Sequence, residues 1–108
     1  MSQVTVARIS EIPVNSSRVV HVRGRDIAIF NVDGQWFAID DLCPHMGASL
    51  SGGFVEDGCV TCPWHYWRFR LTDGAWADNP KVRIGSYPVT IHGDSVLLTV
   101  PESWDTPG

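Results

Sequence analysis

The sequence predicts an all-β fold, a small antiparallel barrel or sandwich. Three observations carry that prediction: about nine short runs of strand-forming residues lie at close spacing, Asp-Gly or Gly-Asp pairs separate several of them, and no run has a helical period.

The runs follow one another from the N-terminus. Val4–Ile9 alternates apolar and polar residues and stops at Glu11-Ile12-Pro13, where proline removes a backbone donor. Arg18–Val22 and Asp26–Asn31 come next, and Val32-Asp33-Gly34 turns the chain into Gln35–Ile39. Asp-Gly between alternating runs signals a two-residue hairpin, because both residues tolerate the positive φ that such a turn demands. Gly52–Val55 and Cys59–Thr61 flank Glu56-Asp57-Gly58 in the same way. Trp67–Leu71 alternates and ends at Thr72-Asp73-Gly74, while Tyr87–His92 and Ser95–Val100 flank Gly93-Asp94 as the last hairpin. Residues 101–108 read as a frayed tail.

One domain accounts for residues 1–108, with no internal repeat, linker or low-complexity segment. A chain of this length buries roughly 60 to 70% of its unfolded surface and leaves no room for a second catalytic domain. The 12 acidic and 8 basic side chains give a net charge of −4, which argues against nucleic acid, whose binding needs a basic footprint. No apolar window of about 18 residues predicts a membrane span. Residues 1–12 lack a basic start followed by an apolar run, so no secretory signal is expected and the expected location is cytoplasmic.

Chemistry concentrates in two short segments, Cys43-Pro44-His45 and Cys62-Pro63-Trp64-His65. Each offers one thiolate and one imidazole, giving C-x-H…C-x-x-H. Two Cys and two His also suit a tetrahedral zinc ion, although structural zinc sites usually put both cysteines in one knuckle and both histidines in another. The spacing, the prolines and the downstream aromatic-basic segment resemble the Rieske family, in which two cysteines hold one iron of a [2Fe–2S] cluster and two histidines the other.

That resemblance implies one Rieske-type [2Fe–2S] cluster held by Cys43, His45, Cys62 and His65. It also implies a Rieske-type fold, in which a small cluster-binding subdomain, about residues 40–72, is inserted into a larger antiparallel base. Neutral imidazoles in place of two thiolates make the cluster less anionic and easier to reduce, so Rieske potentials lie between about −150 and +300 mV against roughly −400 mV for plant-type ferredoxins. His45 and His65 become the expected exit for the electron. Pro44 and Pro63 fix φ beside the ligands, and Gly47, Gly52 and Gly53 are expected to let the backbone bend around the inorganic core. Met46 and Leu50 are expected to cover the cluster rather than ligate it.

Departures from the family pattern select a branch. High-potential, quinol-oxidising members resemble C-x-H-x-x-C…C-x-C-H-G-S-x-Y, with a disulfide between the loops and Ser and Tyr hydroxyls bonded to sulfurs. Those positions hold Ala48, Trp64, Trp67 and Phe69 here. The resemblance therefore implies a low-potential, soluble ferredoxin-type centre. Tyr66 stands where the family usually has Gly, and a bulky residue resists φ > 0.

Other residues receive plainer readings. Cys59 and Cys62 spell C-x-x-C, but Cys59–Thr61 reads as strand rather than the helix start of a redox dithiol, so Cys59 is expected to be a small strand side chain. Trp67 and Phe69 share a strand face and are expected in the core, with Arg68 and Arg70 solvated opposite and Trp64 on a rim. His21 and His92 are expected to be ordinary surface or satisfied histidines.

Two functions fit the resemblance. One is a Rieske ferredoxin carrying an electron from a flavin-dependent reductase to the terminal oxygenase of a ring-hydroxylating dioxygenase system. The alternative is the small subunit of an assimilatory NAD(P)H-dependent nitrite reductase, bound to its large subunit. A third reading, from the donor set alone, is a zinc-stabilised interaction module. The chain itself offers no nucleotide fingerprint or catalytic triad, so it is expected to be an electron-transfer component and not catalytic alone.

Overall fold

The computed structural model describes residues 2–41, 49–62 and 67–101. Twelve strands occur among them: β1 Ser2–Arg8, β2 Ser16–Val22, β3 Arg25–Val32, β4 Gln35–Asp40, β5 Phe54–Glu56, β6 Cys59–Thr61, β7 Arg68–Arg70, β8 Ala75–Trp76, β9 Asn79–Arg83, β10 Ser86–Tyr87, β11 Val89–His92 and β12 Ser95–Val100. Short 3-10 turns cover Ile9–Glu11 and Leu50–Gly52. The strands form three sheets ordered β1-β12-β11, β10-β4-β3-β2 and β5-β6-β7-β8-β9. The expected all-β antiparallel architecture is present, as open sheets without barrel closure among the described residues.

Turn chemistry sets the hairpins. Arg23 and Gly24, Asp33 and Gly34, and Asp57 and Gly58 all have positive φ, as a two-residue turn between right-twisted strands requires. The flanking pairs Val22↔Arg25, Val32↔Gln35 and Glu56↔Cys59 close the ladders on each side.

The middle sheet is covered on both faces. Ile27 and Ile29 of β3 and Ala38 of β4 join Val20, Val22, Val96, Leu98 and Val100 in one core. Ala28 and Phe30 of β3 and Ile39 of β4 face the other way, into a second core with Leu50, Val60, Cys62, Phe69 and Leu71. This follows from the period of two along a strand. Successive residues of a run without polar interruptions must enter different cores.

β8 and β9 extend the third sheet to Arg83. One feature differs from the sequence expectation. The run Tyr87–His92 is divided: Ser86 and Tyr87 pair with β4, whereas Val89–His92 pairs with β12. Pro88 lies at the break and has no N–H for a continuous ladder. Its carbonyl accepts the Thr99 N–H at 3.0 Å instead.

Candidate metal centre

Two chain segments flank the expected ligand loops, and the fold holds the ends of each together. Cys62 follows β6, and its N–H donates to the Trp67 carbonyl at 2.7 Å. That bond closes the foot of the loop 63–66. Cys62 is 1% exposed and belongs to the second core with Val60, Phe69 and Leu50. Cys43, His45 and His65 lie outside the described residues, as do Pro44, Met46, Gly47, Ala48, Pro63, Trp64, Tyr66 and residues 102–108.

The foot of the other loop is built on Asp41, a residue that sequence reasoning missed. The residue is 3% exposed. Ser49 Oγ lies 2.7 Å from Oδ2 and 2.9 Å from Oδ1, and the Ser51 N–H donates to Oδ1 at 2.9 Å. The Leu50 N–H donates to the Asp41 carbonyl at 2.6 Å, and the Asp41 N–H to the Asp26 carbonyl at 3.0 Å. A buried carboxylate is tolerated when donors converge on it, and these donors join the two ends of segment 42–48. Leu50, fully buried, then packs in the same core as Cys62. The feet of both loops are thereby fixed in one apolar cluster.

Asp40 anchors the same region to the base. Its Oδ2 accepts the Gly85 N–H at 2.8 Å, and its Oδ1 accepts the Tyr87 hydroxyl at 2.7 Å. Burial pushes the Tyr87 phenol above its ordinary range, and the hydrogen bond to the Asp40 carboxylate pushes it the same way. A Cβ at Gly85 would sit 2.2 Å from the Tyr87 hydroxyl and 2.9 Å from Asp40 Oδ2, so the approach requires glycine.

Of the three glycines expected to wrap a cluster, the two among the described residues have different roles. A Cβ on Gly53 would meet the Thr61 carbonyl at 2.2 Å and the Leu50 carbonyl at 3.2 Å, so its bareness serves close packing against β6. A Cβ on Gly52 would meet nothing within 4 Å.

Strand alternation separates the two described cysteines. Cys62 shares the inner face with Val60, while Cys59 pairs with Glu56 and Arg70 on the opposite face. Residues three apart on a strand point opposite ways, so the geometry speaks against a Cys59–Cys62 dithiol. Cys59 is a buried free thiol outside both cores, the small strand side chain expected. Phe69 is fully buried, and Trp67 packs on it and stacks on Trp76 with ring centroids 3.8 Å apart at 7°. Trp76 Nε1 is buried without a hydrogen-bond partner among the described residues. Arg68 and Arg70 are exposed opposite, and Arg70 pairs with Asp73. That bond raises Arg70 and lowers Asp73 from their ordinary pKa values. His21 is exposed and pairs with Asp26 across the hairpin at 2.5 Å; His92 is exposed.

Cys62 suits an iron–sulfur ligand. Burial among apolar side chains is compatible with a thiolate that a metal neutralises, as it is with a neutral thiol. Among the described residues no three His, Cys, Asp or Glu side chains gather as a rival site.

Known proteins place this arrangement. The model of the Rieske [2Fe-2S] domain matches residues 2–88. The 3-phenylpropionate/cinnamic acid dioxygenase ferredoxin subunit of Photorhabdus laumondii is 38% identical over 104 residues, 94% of this chain and 98% of the relative. A chain from the complex of reduced oxygenase and oxidised ferredoxin in carbazole 1,9a-dioxygenase is 28% identical with a TM-score of 0.79, covering 89% of this chain and 91% of that one. A putative NADH-dependent nitrite reductase small subunit from Mycobacterium tuberculosis is 25% identical with a TM-score of 0.83, covering 93% and 96%.

Proposed function

The chain belongs to the Rieske [2Fe-2S] domain family, and from that premise we propose that it is a ferredoxin of a ring-hydroxylating dioxygenase system, taking single electrons from a flavin-dependent reductase and delivering them to a terminal oxygenase. The observation that carries this reading is the 38% identity to a dioxygenase ferredoxin subunit over 98% of that relative. That similarity covers nearly the whole length of the relative. When bound, the [2Fe–2S] cluster supplies a one-electron couple at the negative end of the Rieske range.

Cys43 and Cys62 hold one iron and His45 and His65 the other in this proposal. Support comes from the C-x-H…C-x-x-H spacing and from the buried position of Cys62 at the foot of its loop. Asp41 and the 49–51 turn hold the first loop closed, and the Cys62–Trp67 bond holds the second. Pro44, Pro63 and Gly47 complete the loops, Met46 shields the cluster, and Trp64 forms the rim. A cytoplasmic location is part of the proposal, in keeping with the free Cys59 thiol; no helix among the described residues is long and apolar enough to cross a membrane.

The nitrite reductase reading is favoured by the structural likeness alone. One experiment separates the two. The protein is assayed for iron and sulfide, its dithionite-reduced form is examined by electron paramagnetic resonance, and it is then added to a flavin reductase, NADH and a terminal oxygenase. The expected result is a Rieske-type signal and aromatic hydroxylation that depends on the added protein. Cys62→Ser should lose iron and Cys59→Ser should keep it. Stable co-purification with a flavin- and sirohaem-bearing large subunit, without support of hydroxylation, would overturn the carrier reading.

A further inference from the structure

Strand register places six residues on the outer face of the third sheet, in two rows. Phe54, Thr61 and Arg68 lie opposite one another across β5, β6 and β7, and Glu56, Cys59 and Arg70 form the next row. Directly opposed residues in antiparallel strands share a face, and the intervening Val60 and Phe69 are fully buried on the other side. The first row borders the second ligand loop, because Thr61 precedes Cys62 and Arg68 follows Trp67, the two residues whose backbones close that loop.

This row is built unlike a solvated sheet face. Phe54 is 76% exposed, the largest exposure among the large apolar side chains described. β5 is the edge strand of its sheet, and all three of its residues are exposed. Arg68 is exposed with no ion-pair partner among the described residues, whereas Arg70 in the next row is held by Asp73. An aromatic ring and a guanidinium without an ion-pair partner among the described residues, on either side of Thr61 in one row, are the residue types that anchor protein interfaces.

We propose that Phe54 and Arg68 anchor the terminal oxygenase, which meets them with an apolar socket for the ring and, across the width of β6, an Asp or Glu carboxylate for the guanidinium. The inference rests on the ferredoxin reading above. Segments 42–48 and 63–66 are too short to supply a standard interface, which needs about 20–30 residues a side, so a partner seated on them must spread onto the neighbouring surface. The Phe54–Thr61–Arg68 row is the part of the sheet that adjoins the second segment. A second copy of the chain is disfavoured as the occupant, since each copy carries a net charge of −4. The guanidinium selects a carboxylate through paired N–H donors, and the ring selects an apolar recess.

The test uses cluster-loaded protein and the terminal oxygenases of 3-phenylpropionate/cinnamic acid and carbazole dioxygenase systems, continuing with whichever accepts electrons from the wild type. Calorimetry gives Kd for the oxidised protein, and stopped-flow mixing gives the second-order rate of oxygenase reduction. Phe54→Ala and Arg68→Ala are each expected to weaken both by about tenfold, with Arg68→Glu weakening them further. Midpoint potential, paramagnetic resonance spectrum and rate of reduction by the reductase should match wild type, which separates a docking role from damage to the cluster. A Kd within twofold of wild type in both variants overturns the inference. So does a loss confined to the reductase step, or a wild-type dimer that Phe54→Ala dissociates. A loaded wild-type protein that reduces neither oxygenase overturns the ferredoxin reading itself.

Discussion

Asp41 shows how much of the candidate centre depends on a side chain outside the expected ligand set. Its buried carboxylate receives the Ser49 hydroxyl and the Ser51 N–H, so truncation leaves donors in a nearly dry site. Asp41→Ala should cost about 2–3 kcal/mol and reduce iron content, measured by urea denaturation of the apoprotein and by iron assay after reconstitution. Asp41→Asn keeps one acceptor for Ser51 and should fall between the alanine variant and wild type. Equal stability of all three would remove Asp41 from this role. Nothing in Asp40-Asp41-Leu42 marks the second aspartate as buried, because its partners come from residues 49 and 51 and meet it only in the folded chain.

Tyr87 carries a prediction of defined sign. Burial and the bond to Asp40 hold its pKa above the ordinary tyrosine value of about 10. The folded state therefore favours the neutral phenol, and the stability this contributes is complete below about pH 10 and declines as pH rises through the raised folded value. Tyr87→Phe should lose roughly 1 kcal/mol at neutral pH, a modest figure because the ring is only half-buried. Its stability should then fall less steeply than wild type above pH 10, as followed by thermal melts across pH 8 to 12. Parallel curves would show that the Tyr87–Asp40 bond is not linked to folding.

At the level of elements, adjacent glycines give a sharp contrast. Gly53→Ala would drive a Cβ to 2.2 Å from the backbone carbonyl of Thr61, which only a shift of the 50–53 turn or of β6 can relieve. A loss of about 2 kcal/mol or more is expected. Gly52→Ala meets open space and should be neutral or stabilising by about 0.5 kcal/mol, through the lower entropy of the unfolded chain. Matched denaturation curves for both variants decide it, and similar losses would contradict the assigned contacts.

The same elements show where sequence legibility ends. The hairpins at 23–24, 33–34 and 57–58 combine two-residue turns with central residues at positive φ, and the latter two carry the Asp-Gly pair that signals them in sequence. β8 and β9 were not legible, since Ala75–Trp76 is too short for alternation and Asn79-Pro80 reads as a breaker, yet β9 is an edge strand where proline is tolerated. Tyr87–His92 looks like one strand because sequence pattern does not reveal that Pro88 hands the chain from one sheet to another. The four expected ligands rest on residue type and spacing, and of them Cys62 alone lies among the described residues. That Phe54 and Arg68 share a face depends on register, which joins residues distant in sequence.

At the scale of the whole molecule, β3 and β4 separate two cores with different duties. One lies between the base sheets and includes Leu98; the other lies between the middle sheet and the third sheet and includes Leu50 with Cys62. Both leucines are fully buried, so each truncation to alanine removes the same atoms, and each should cost about 2–5 kcal/mol. Their effects on the metal centre should differ. Leu50 adjoins the bonds that close segment 42–48 and packs in the cluster that holds Cys62, so Leu50→Ala loosens the feet of both loops together. Leu98→Ala opens a cavity on the far side of the middle sheet, in the core that holds neither Cys62 nor Leu50. Cluster release into a chelator, followed by loss of visible absorbance at temperatures matched to equal global stability, should be several-fold faster for Leu50→Ala than for Leu98→Ala. Equal rates would mean that release requires global unfolding and that the two cores behave as one cooperative unit; a faster rate for Leu50→Ala alone would locate the opening in the second core.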